Sequence, residues 1–490
     1  LCTIGDSPMQ PQNLLFILSD EHQRNAAGCY GNQIVQTPHI DSLAARGVRF
    51  TNAYTNCPIC VPCRASLATG RYVHQIRYWD NAFPYDGAVP TWGHRLQQAG
   101  IRVDSIGKLH YRRAEDDDGF SQKHDAMYVA EGIGELMSCL RENPPFRKGR
   151  GGIVNAGPGE SAYLRYDARI ADQACDWLAQ HADYAQPWML FVSFVNPHPP
   201  FIAPQALYDL YPSNEMPLPV QWQPAEWPEH PALDYFRRYF GWADGFSAAE
   251  IRNATATYYA LCTYLDQKIG QLLGALGAHG LFDKTRVVYT TDHGAMVGAR
   301  GLFGKFQMYD EAAAIPLIVA GPDAPAGKVV DTRVSLVDCY PTIVEAMGLE
   351  DANESDLPGE SLWSIAEQPD QERTIFSEYH AAGSRHGIYM LCDGHHKYIH
   401  YLNEPPQLFD LVADPEERIN LASQPEQEHV RLKFEHQLQE ILDPHAVDRL
   451  AKADQAAKVT AFGGEEAVLA RGLSNSAIPG EKPVFHKLSQ

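Results

Sequence analysis

The stretch Cys57-Pro-Ile-Cys60-Val-Pro62-Cys63-Arg64-Ala-Ser-Leu-Ala-Thr69-Gly70-Arg71 places a thiol, a proline and two guanidinium groups at C-x-P-x-R-x4-T-G-R spacing. Because proline favours the first turn of a helix, Pro62 puts Cys60 close to a helix N-terminus. Backbone N–H groups and the positive end of the helix dipole attract anions there. Arg64 adds planar paired donors suited to a tetrahedral oxyanion such as sulfate or phosphate. A nucleophile beside an oxyanion clamp indicates group-transfer chemistry.

Around this stretch, short apolar runs alternate with amphipathic helical patterns. The runs at residues 14–19, 101–106, 188–195, 286–291 and 315–320 predict buried strands, and residues 167–181 and 257–273 predict helices. Such alternation predicts an α/β fold with a large, mostly parallel sheet between helices. Ligands of these sheets bind beyond the carboxyl ends of the strands. Asp20, Lys108, His198 and Asp292 each come just after a predicted strand, so we expect them at one site.

The C-terminal part has a different pattern. Short strands are predicted at residues 374–379, 387–392 and 396–401, the last two around an Asp393-Gly394 turn that indicates a hairpin. A helix with Val430 and Phe434 on its apolar face follows, and then a Gly/Ala-rich tail. We therefore predict a catalytic α/β domain at residues 9–370, a smaller α+β subdomain with a short antiparallel sheet at 371–445, and a tail at 446–490. We expect the natural start at Met9, after residues 1–8.

Composition limits the class of protein. With 490 residues, 44% of them hydrophobic and 21% charged, the chain has an ordinary globular composition. A formal charge of −21 argues against nucleic acid or an anionic membrane as a partner. Ten scattered cysteines do not form the pattern of a disulfide framework. No run approaches the roughly 18 apolar residues of a membrane span, and no secretion signal is evident, so we expect a cytoplasmic location.

The C-x-P-x-R-x4-T-G-R stretch resembles the activation motif of type I sulfatases, in the arylsulfatase, choline-sulfatase-like and phosphonate monoester hydrolase branch of the alkaline phosphatase superfamily. In that family a formylglycine-generating enzyme oxidises the motif cysteine, which implies that Cys60 becomes formylglycine. Cys63 stands where serine or alanine is commoner and Ala68 where leucine is, but the core of the motif is intact. Residues 407–422 are similar to a C-terminal element of the family. The resemblance implies an alkaline-phosphatase-like fold.

Two other interpretations of the cysteines stay open. Cys57, Cys60 and Cys63 form C-x2-C-x2-C, which suits a metal or iron–sulfur site or a purely structural trio. A ferredoxin-type run needs a fourth cysteine followed by proline, and Arg64 falls inside the interval where that cysteine belongs. An unmodified Cys60 would leave an anion-binding protein with little turnover. The mass of the Cys60 peptide separates an aldehyde from a thiol.

Two strand ends offer metal ligands. Asp20 and Glu21 follow the first predicted strand, and Asp292 and His293 follow the fourth. The resemblance implies that Asp20, Asp292 and His293 hold one divalent cation. Glu21 departs from the family, which usually has Asp, Gln or Asn there, and its role as a ligand stays open. Mixed carboxylate and imidazole ligands suit Ca²⁺, with Mn²⁺ or Mg²⁺ as alternatives.

Three further segments match family elements. Gly107-Lys108-Leu109-His110 resembles G-K-x-H, which implies that Lys108 holds the sulfate and the nucleophile and that His110 bonds the formylglycine hydrate. The loop around His198 resembles P-H-x-P-F, and Lys305 matches a lysine that follows the Asp-His pair. Both would face the leaving oxygen. Asn81 resembles an asparagine that contacts substrate. Trp79 and Tyr111 are aromatic residues that either line the alcohol pocket or pack in the core.

The resemblance implies that one hydroxyl of the formylglycine hydrate attacks sulfur, while the metal, Arg64, Lys108 and Lys305 stabilise the equatorial oxygens. The second hydroxyl, deprotonated with help from His110, then expels sulfate. The predicted activity is hydrolysis of a small sulfate monoester. A phosphonate monoester or phosphodiester is the alternative, because the same groups bind either tetrahedral anion. The tail from about Ala446 is partly apolar, so we expect a homo-oligomer.

Overall fold

The computed structural model describes residues 12–142, 144–349, 356–369, 371–474 and 476–487. The start predicted at Met9 and residues 1–8 lie outside the described residues. So do residues 350–355 and 370, on which the predicted boundary between the first two domains falls.

The α-helices and strands follow the alternation predicted from the sequence. The strands are β1 (Asn13–Asp20), β2 (Gly47–Phe50), β3 (Ala53–Tyr54), β4 (Arg102–Lys108), β5 (Gln122–Met127), β6 (Gly157–Pro158), β7 (Trp188–Pro197), β8 (Ile202–Ala203), β9 (Thr285–Thr291), β10 (Leu317–Ala320), β11 (Lys328–Val330), β12 (Val334–Ser335), β13 (Ile375–Tyr379), β14 (Ile388–Cys392), β15 (His396–Tyr401), β16 (Gln407–Asp410), β17 (Leu473–Ser474) and β18 (Phe485–His486). The α-helices are α1 (Pro38–Ala45), α2 (Cys60–Thr69), α3 (Val73–Ile76), α4 (Trp92–Gln98), α5 (Arg150–Val154), α6 (Ala162–Gln180), α7 (Gln205–Tyr208), α8 (Pro231–Phe240), α9 (Ala248–Ala278), α10 (Asp310–Ala313), α11 (Cys339–Ala346), α12 (Leu362–Glu367), α13 (Glu428–Ile441), α14 (Pro444–Phe462) and α15 (Glu465–Arg471). Short 3-10 turns lie at Gly28–Tyr30, Ala130–Gly132, Leu136–Cys139, Ser213–Glu215, Pro224–Glu226, Phe282–Lys284, Ala299–Gly301, Leu336–Asp338 and Pro425–Gln427.

A mixed, mostly parallel sheet of eight strands forms the centre of the molecule, in the order β11-β2-β10-β9-β1-β7-β4-β5. Strand β1 lies between β9 and β7 and is parallel to both. The strand predicted at residues 315–320 begins at Leu317 and runs antiparallel to β9. Ser19 pairs with Thr291, so β1 and β9 end at the same level. This register brings the residues that follow the two strands side by side.

Helices cover both faces of the sheet, which confirms the predicted fold class. In β1, Leu14, Phe16 and Leu18 belong to one buried apolar cluster, and Leu15 and Ile17 belong to another. The second cluster contains the apolar stripes of α6 and α9. Burial on both sides explains why the strand reads as a continuous apolar run. Among the described residues, no helix is long and apolar enough to cross a membrane.

The two predicted helices are longer than their apolar stripes because polar caps extend them. The Ser161 side chain accepts a hydrogen bond from the backbone N–H of Leu164 and starts α6. Helix α9 begins with a capping box in which Ser247 and Glu250 exchange hydrogen bonds. Such caps satisfy backbone N–H groups that have no partner within the helix. The apolar periodicity predicted the buried turns of α6 and α9 but not their first turns, which begin at the polar caps.

The C-terminal part contains the predicted antiparallel sheet. Strands β13, β14, β15 and β16 pair in sequence order, and β14 and β15 form the predicted hairpin. Helix α13 packs Phe434 and Leu438 against one face of this sheet. The sheet is tied to the catalytic part through Glu378, which accepts hydrogen bonds at 2.9 Å from the backbone N–H and the Nδ1 of His74.

The segment that the sequence leaves as a tail contains two helices that pack on their own chain. Helix α14 begins after Asp443, whose side chain accepts hydrogen bonds from two backbone N–H groups. Asp454 accepts a hydrogen bond from Trp79 Nε1 at 2.7 Å. Gln455 is fully buried and donates to Asp80 Oδ2 at 2.5 Å and to the His380 carbonyl at 2.9 Å. Helix α14 is therefore part of the folded unit.

Replacing Gln455 with leucine tests this docking. The leucine cannot donate to Asp80 or accept from Arg141 Nη1, which lies 3.1 Å from Gln455 Oε1. Because two charged groups would remain buried without this partner, we expect a loss of about 3 kcal/mol in the free energy of unfolding. Chemical denaturation measures it. The exposed Gln424 offers a matched control, and Gln424→Leu should cost less than about 0.5 kcal/mol. Equal losses in the two variants would contradict the docking.

Candidate active site

The predicted site residues meet at the carboxyl ends of four neighbouring strands. Asp20 is the last residue of β1 and Lys108 the last residue of β4. His198 directly follows β7, and Asp292 directly follows β9. All four line up because β9, β1, β7 and β4 are consecutive and parallel in the sheet. The four residues therefore lie next to one another at one edge of the sheet, as expected for residues that follow parallel strands.

Helix α2 carries the motif cysteine at its first residue. Val61 donates its backbone N–H to Asn81 Oδ1 at 3.2 Å, which satisfies one of the free donors of the first turn. The helix ends at Gly70, whose φ is +68°, and a Cβ there would lie 2.8 Å from the Tyr340 side chain. The Thr-Gly step of the motif is thus the C-terminal cap of the helix. Pro62 is the third residue of the helix, so Cys60, which was expected just ahead of the helix, is its first residue.

Cys60 is buried among charged groups. Lys305 Nζ lies 3.0 Å from its sulfur, His293 Nε2 lies 3.3 Å away and Asp20 Oδ1 lies 3.6 Å away. Burial raises the pKa of the Cys60 thiol to about 12, although Lys305 acts in the opposite direction. At neutral pH the unmodified residue is therefore a neutral thiol, which is a weak nucleophile.

Arg64 bridges the two strand ends that carry the carboxylates. Its Nε donates to Asp292 Oδ2 at 2.9 Å and its Nη2 donates to Asp20 Oδ2 at 3.1 Å. Its Nη1 donates to the Lys108 carbonyl at 2.8 Å and to Ser193 Oγ at 2.9 Å. These contacts place Arg64 behind the wall of the cavity described below, where it orients the carboxylates.

Two lysines compensate the carboxylates from the cavity side. Lys108 Nζ donates to Asp20 Oδ2 at 2.5 Å, and Lys305 Nζ donates to Glu21 Oε2 at 3.0 Å. Burial alone would raise the pKa of Asp20, but the nearby positive charges, chiefly that of Lys108, hold it well below its usual range. Burial likewise opposes the charge of Lys305, yet Cys60, Glu21 and Asp20 raise its pKa well above the usual value. Both groups are charged at neutral pH.

Four donor groups are positioned to hold a cation. A carboxylate oxygen of Asp20, a carboxylate oxygen of Asp292, a ring nitrogen of His293 and the sulfur of Cys60 all lie within 4.8 Å of one another. His293 Nε2 lies 3.5 Å from Asp292 Oδ1, and its Nδ1 donates to the Gly294 carbonyl at 3.1 Å. That second bond leaves Nε2 as the ring atom that could bind a metal. The mixture of carboxylate and imidazole fits a divalent cation.

Glu21 lies at the edge of this cluster. Its Oε2 pairs with Lys305 and lies 3.8 Å from His198 Nε2. Its Oε1 is buried and has no hydrogen-bond partner in the described part of the chain. Burial raises the pKa of Glu21, against the charge of Lys305. Because the Glu21 side chain is longer than that of an aspartate, it reaches Lys305 and His198 and also lies beside the carboxylates of the site.

The two other predicted histidines face the cavity. Both ring nitrogens of His110 are buried without a hydrogen-bond partner among the described residues. Burial and the positive charge of Lys108 hold the pKa of His110 well below its usual range, so its ring is neutral. His198 donates its Nδ1–H to the Pro199 carbonyl at 2.6 Å, which leaves Nε2 toward Glu21. Burial and the charge of Lys305 also lower the pKa of His198.

The remaining candidates divide between cavity and core. Asn81 lines the cavity. Trp79 and Tyr111 are buried in the main apolar cluster, so core packing is the correct interpretation for both. Among the described residues, no group of side chains that could hold a metal ion consists of Cys57, Cys60 and Cys63. Cys63 donates its S–H to the Asp292 carbonyl at 3.0 Å, which gives it a structural contact.

A cavity of about 180 Å³ opens beside Cys60, and part of its wall was not predicted. Cys60, Lys108, His110, His198 and Lys305 line it. Its lining also includes residues outside the motifs, which are Glu135, Ser138, Arg147, Tyr163, Ser474 and Ser476. These residues come from a loop, a 3-10 turn, the first turn of α6 and the region of β17, where no strand-end pattern marks them.

Comparisons with known proteins agree with this site. A profile of the sulfatase family matches residues 12–349, and a profile described as N-sulphoglucosamine sulphohydrolase, C-terminal, matches residues 298–443. The fold and the site define an enzyme that hydrolyses sulfuric esters. The chain belongs to the sulfatase family, in the alkaline-phosphatase-like branch.

Its relatives cover most of the chain. It is 32% identical to arylsulfatase K of Bos taurus over 441 residues, which are 84% of this chain and 78% of the relative. It is 30% identical to choline-sulfatase of Rhizobium meliloti (strain 1021), over 84% of this chain and 83% of that one. The phosphonate monoester hydrolase of Agrobacterium radiobacter has the same fold, with a TM-score of 0.72 and 24% identity over 97% of this chain and 100% of that chain.

The cation site predicts a metal-dependent stability. With Ca²⁺ at a hundred times its Kd, chelator-treated protein should gain about 2.7 kcal/mol of stability, which is visible as a higher melting temperature. Asp292→Asn removes a charged ligand and should abolish this increase. The exposed Asp283 gives a charge-matched control, because Asp283→Asn should keep the full increase. An increase that survives in both variants would place the cation elsewhere.

Proposed function

We propose that this chain hydrolyses sulfate monoesters in the cavity beside Cys60, with Cys60 converted to formylglycine and with one divalent cation. The observation that carries this proposal is the position of Cys60, at the start of α2 and within 3.6 Å of Lys305, His293 and Asp20. A cationic donor and candidate metal ligands thus surround the sulfur at the position of the nucleophile. Such an arrangement stabilises charge that develops during group transfer.

The state of the cysteine supports the modification. Because burial raises its pKa to about 12, the thiol itself is a poor nucleophile at neutral pH. The formylglycine hydrate supplies two hydroxyls on one carbon. A formylglycine-generating enzyme is the partner that this maturation requires, and it would act before the buried residue is enclosed by the fold.

Each cavity residue has a role in this proposal. Lys108 and Lys305 bind the anionic oxygens of the ester, since both ammonium groups lie beside the nucleophile's position. His198 supports the departing alcohol in its protonated form, in which Nε2–H donates to the leaving oxygen while Nδ1–H stays bonded to the Pro199 carbonyl; the negative charge of a bound ester favours that form. His110, neutral and without a protein hydrogen-bond partner in the described residues, accepts a proton near position 60.

Asp20, Asp292 and His293 would hold the cation. A bound divalent cation supplies Lewis-acid stabilisation of the ester oxygens. Ca²⁺ is our first choice, with Mn²⁺ or Mg²⁺ as alternatives, because the ligands are mainly oxygens. Glu21 is a further candidate through its unpaired Oε1. A homo-oligomer and a cytoplasmic location also stay predictions.

A phosphonate monoester or phosphodiester is the second candidate substrate. Like a sulfate monoester, each presents a tetrahedral centre with a single negative charge. The cavity offers two lysines and no group that distinguishes sulfur from phosphorus by hydrogen bonding among its described lining residues. A promiscuous enzyme with both activities is therefore part of the proposal.

Removing the nucleophile tests the centre of the mechanism. Cys60→Ala should lower kcat roughly a thousand-fold or more, and mass spectrometry of the wild-type Cys60 peptide should show an aldehyde. Cys63→Ser is the matched control on the same helix, since a hydroxyl can still donate to the Asp292 carbonyl. Its kcat should stay within about tenfold of the wild type. Full activity of Cys60→Ala would refute the mechanism.

The preferred anion is decided by matched phenyl esters. On protein co-expressed with a formylglycine-generating enzyme and supplied with Ca²⁺ or Mn²⁺, kcat/KM is measured for a sulfate, a phosphonate and a phosphodiester. We expect the sulfate to lead by about tenfold, or about 1.4 kcal/mol of transition-state discrimination. The opposite ratio would identify the phosphorus esters as the substrates of this site.

A further inference from the structure

Asp167 is a buried carboxylate that the mechanism proposed above does not use. It lies on α6, on the same face as Ile170 and Ala174, which belong to a buried apolar cluster. Its side chain is fully buried as well. Burying a carboxylate is costly unless hydrogen bonds compensate it. The partners of Asp167 therefore indicate what this residue does.

Asp167 binds the end of β7 through three hydrogen bonds. Its Oδ1 accepts from the backbone N–H of Val195 at 2.8 Å. Its Oδ2 accepts from the backbone N–H of Asn196 at 2.8 Å and from the side-chain amide of Asn196 at 2.7 Å. Burial raises the pKa of Asp167 to about 6, although these bonds act in the opposite direction. The group is thus an ionised carboxylate at neutral pH, which only accepts hydrogen bonds.

These backbone donors are free for Asp167 because β7 bulges near its end. Between the pairs Leu18–Ser193 and Asp20–Pro197, β7 contains extra residues relative to β1. The pairing of β7 with β4 has also ended at this level. A bulge leaves backbone groups unpaired and changes the direction of the side chains that follow it. The carboxylate takes the place of the missing strand partner.

The same turn determines the position of His198. The backbone N–H of His198 donates to the Val195 carbonyl at 3.1 Å, so Val195 connects His198 to Asp167. Tyr163, one turn before Asp167 on α6, meets the His198 ring edge-on with 6.0 Å between ring centres. The Tyr163 carbonyl also lies 3.5 Å from the side-chain nitrogen of Asn196. The start of α6 therefore contacts both the backbone turn and the ring of His198.

We infer that Asp167 is a positioning residue for His198, which fixes the turn from which His198 protonates the leaving alcohol. The inference rests on the proposed sulfatase activity and adds to it the residue that orients the proton donor. The formylglycine hydroxyl forms a bond to sulfur while the bond from sulfur to the alcohol oxygen breaks, and the proton of His198 Nε2 moves to that oxygen. Such a transfer requires the donor within hydrogen-bond distance of the oxygen.

The test uses two aryl sulfates that differ in their need for a proton. Phenoxide is a basic leaving group that needs proton donation, whereas para-nitrophenoxide leaves without it. In Asp167→Asn the new NH2 group would face a backbone N–H, so the three bonds cannot all form. On the formylglycine-containing holoenzyme, D167N should lower kcat/KM roughly thirtyfold for phenyl sulfate and less than about threefold for para-nitrophenyl sulfate.

Asp266 provides the matched control. It is a buried carboxylate on α9 that accepts from the backbone N–H groups of His39 and Ile40 at 3.0 and 2.8 Å, at the start of α1. Burial raises its pKa to about 6, as it does for Asp167. D266N removes the same kind of hydrogen bond away from the His198 turn. It should lower the melting temperature as D167N does and keep the wild-type ratio of the two kcat/KM values.

A double variant shows whether Asp167 acts through His198. H198A should lose turnover of phenyl sulfate selectively, and H198A/D167N should lose no more than H198A, because a positioning residue acts only through the group that it positions. If D167N does not fold, Asn196→Ala replaces it, since this change removes one bond to Asp167 and keeps the two from the backbone. N196A should lower kcat/KM selectively for phenyl sulfate, by roughly threefold.

The outcomes separate the positioning role from the sulfatase activity. Equal losses for both esters in D167N, or in N196A where it replaces D167N, overturn the positioning role and leave the sulfatase activity standing. So does a loss from D167N that adds to that of H198A, or the same selective loss in D266N. No turnover of either ester by the wild type overturns the proposed activity together with the role of Asp167.

Discussion

The buried guanidinium of Arg64 is the contact on which the site depends. Two carboxylates, Asp20 and Asp292, end adjacent strands at the same level and would repel each other without a cation between them. A buried charge pair is costly unless its hydrogen bonds are satisfied, and Arg64 satisfies them with donors to both carboxylates, to Ser193 and to a carbonyl. Because Arg64 stands one helical turn after Cys60, the same contacts that hold the carboxylates also fix the position of Cys60.

Three carboxylate and three cationic side chains surround position 60, so their formal charges balance. The members are Asp20, Glu21, Asp292, Arg64, Lys108 and Lys305. A divalent cation held by Asp20, Asp292 and His293 would add positive charge to this set, and an anionic ester would offset part of it. Binding of metal and ester would then be electrostatically linked, since each would lower the cost of burying the other.

The sequence predicted the parts of this site that are local. Strands were evident from apolar runs, and Asp20, Lys108, His198 and Asp292 were expected at strand ends for that reason. The pairing of β1 with β9 was not evident, because about 270 residues separate the partners and both strands are apolar on both faces. Helix α14 was missed because its buried positions include Asp448 and Gln455 beside Ala451, so that hydrogen bonds to Asp80 and Arg141 replace part of an apolar stripe. The cavity residues outside the motifs were missed because they come from several separate segments, among them a 3-10 turn, the first turn of α6 and β17.

The part of the cavity lining that contains Glu135 and Arg147 is built separately from the sheet. These residues reach the cavity from a connection between β5 and α5, and Ser474 and Ser476 reach it from the far end of the chain. The reacting end is built on the rigid strands and on α2. Loops on a rigid scaffold tolerate substitution better than the scaffold does. The peripheral segments that line the cavity can therefore change by substitution without disturbing the charge network at the strand ends.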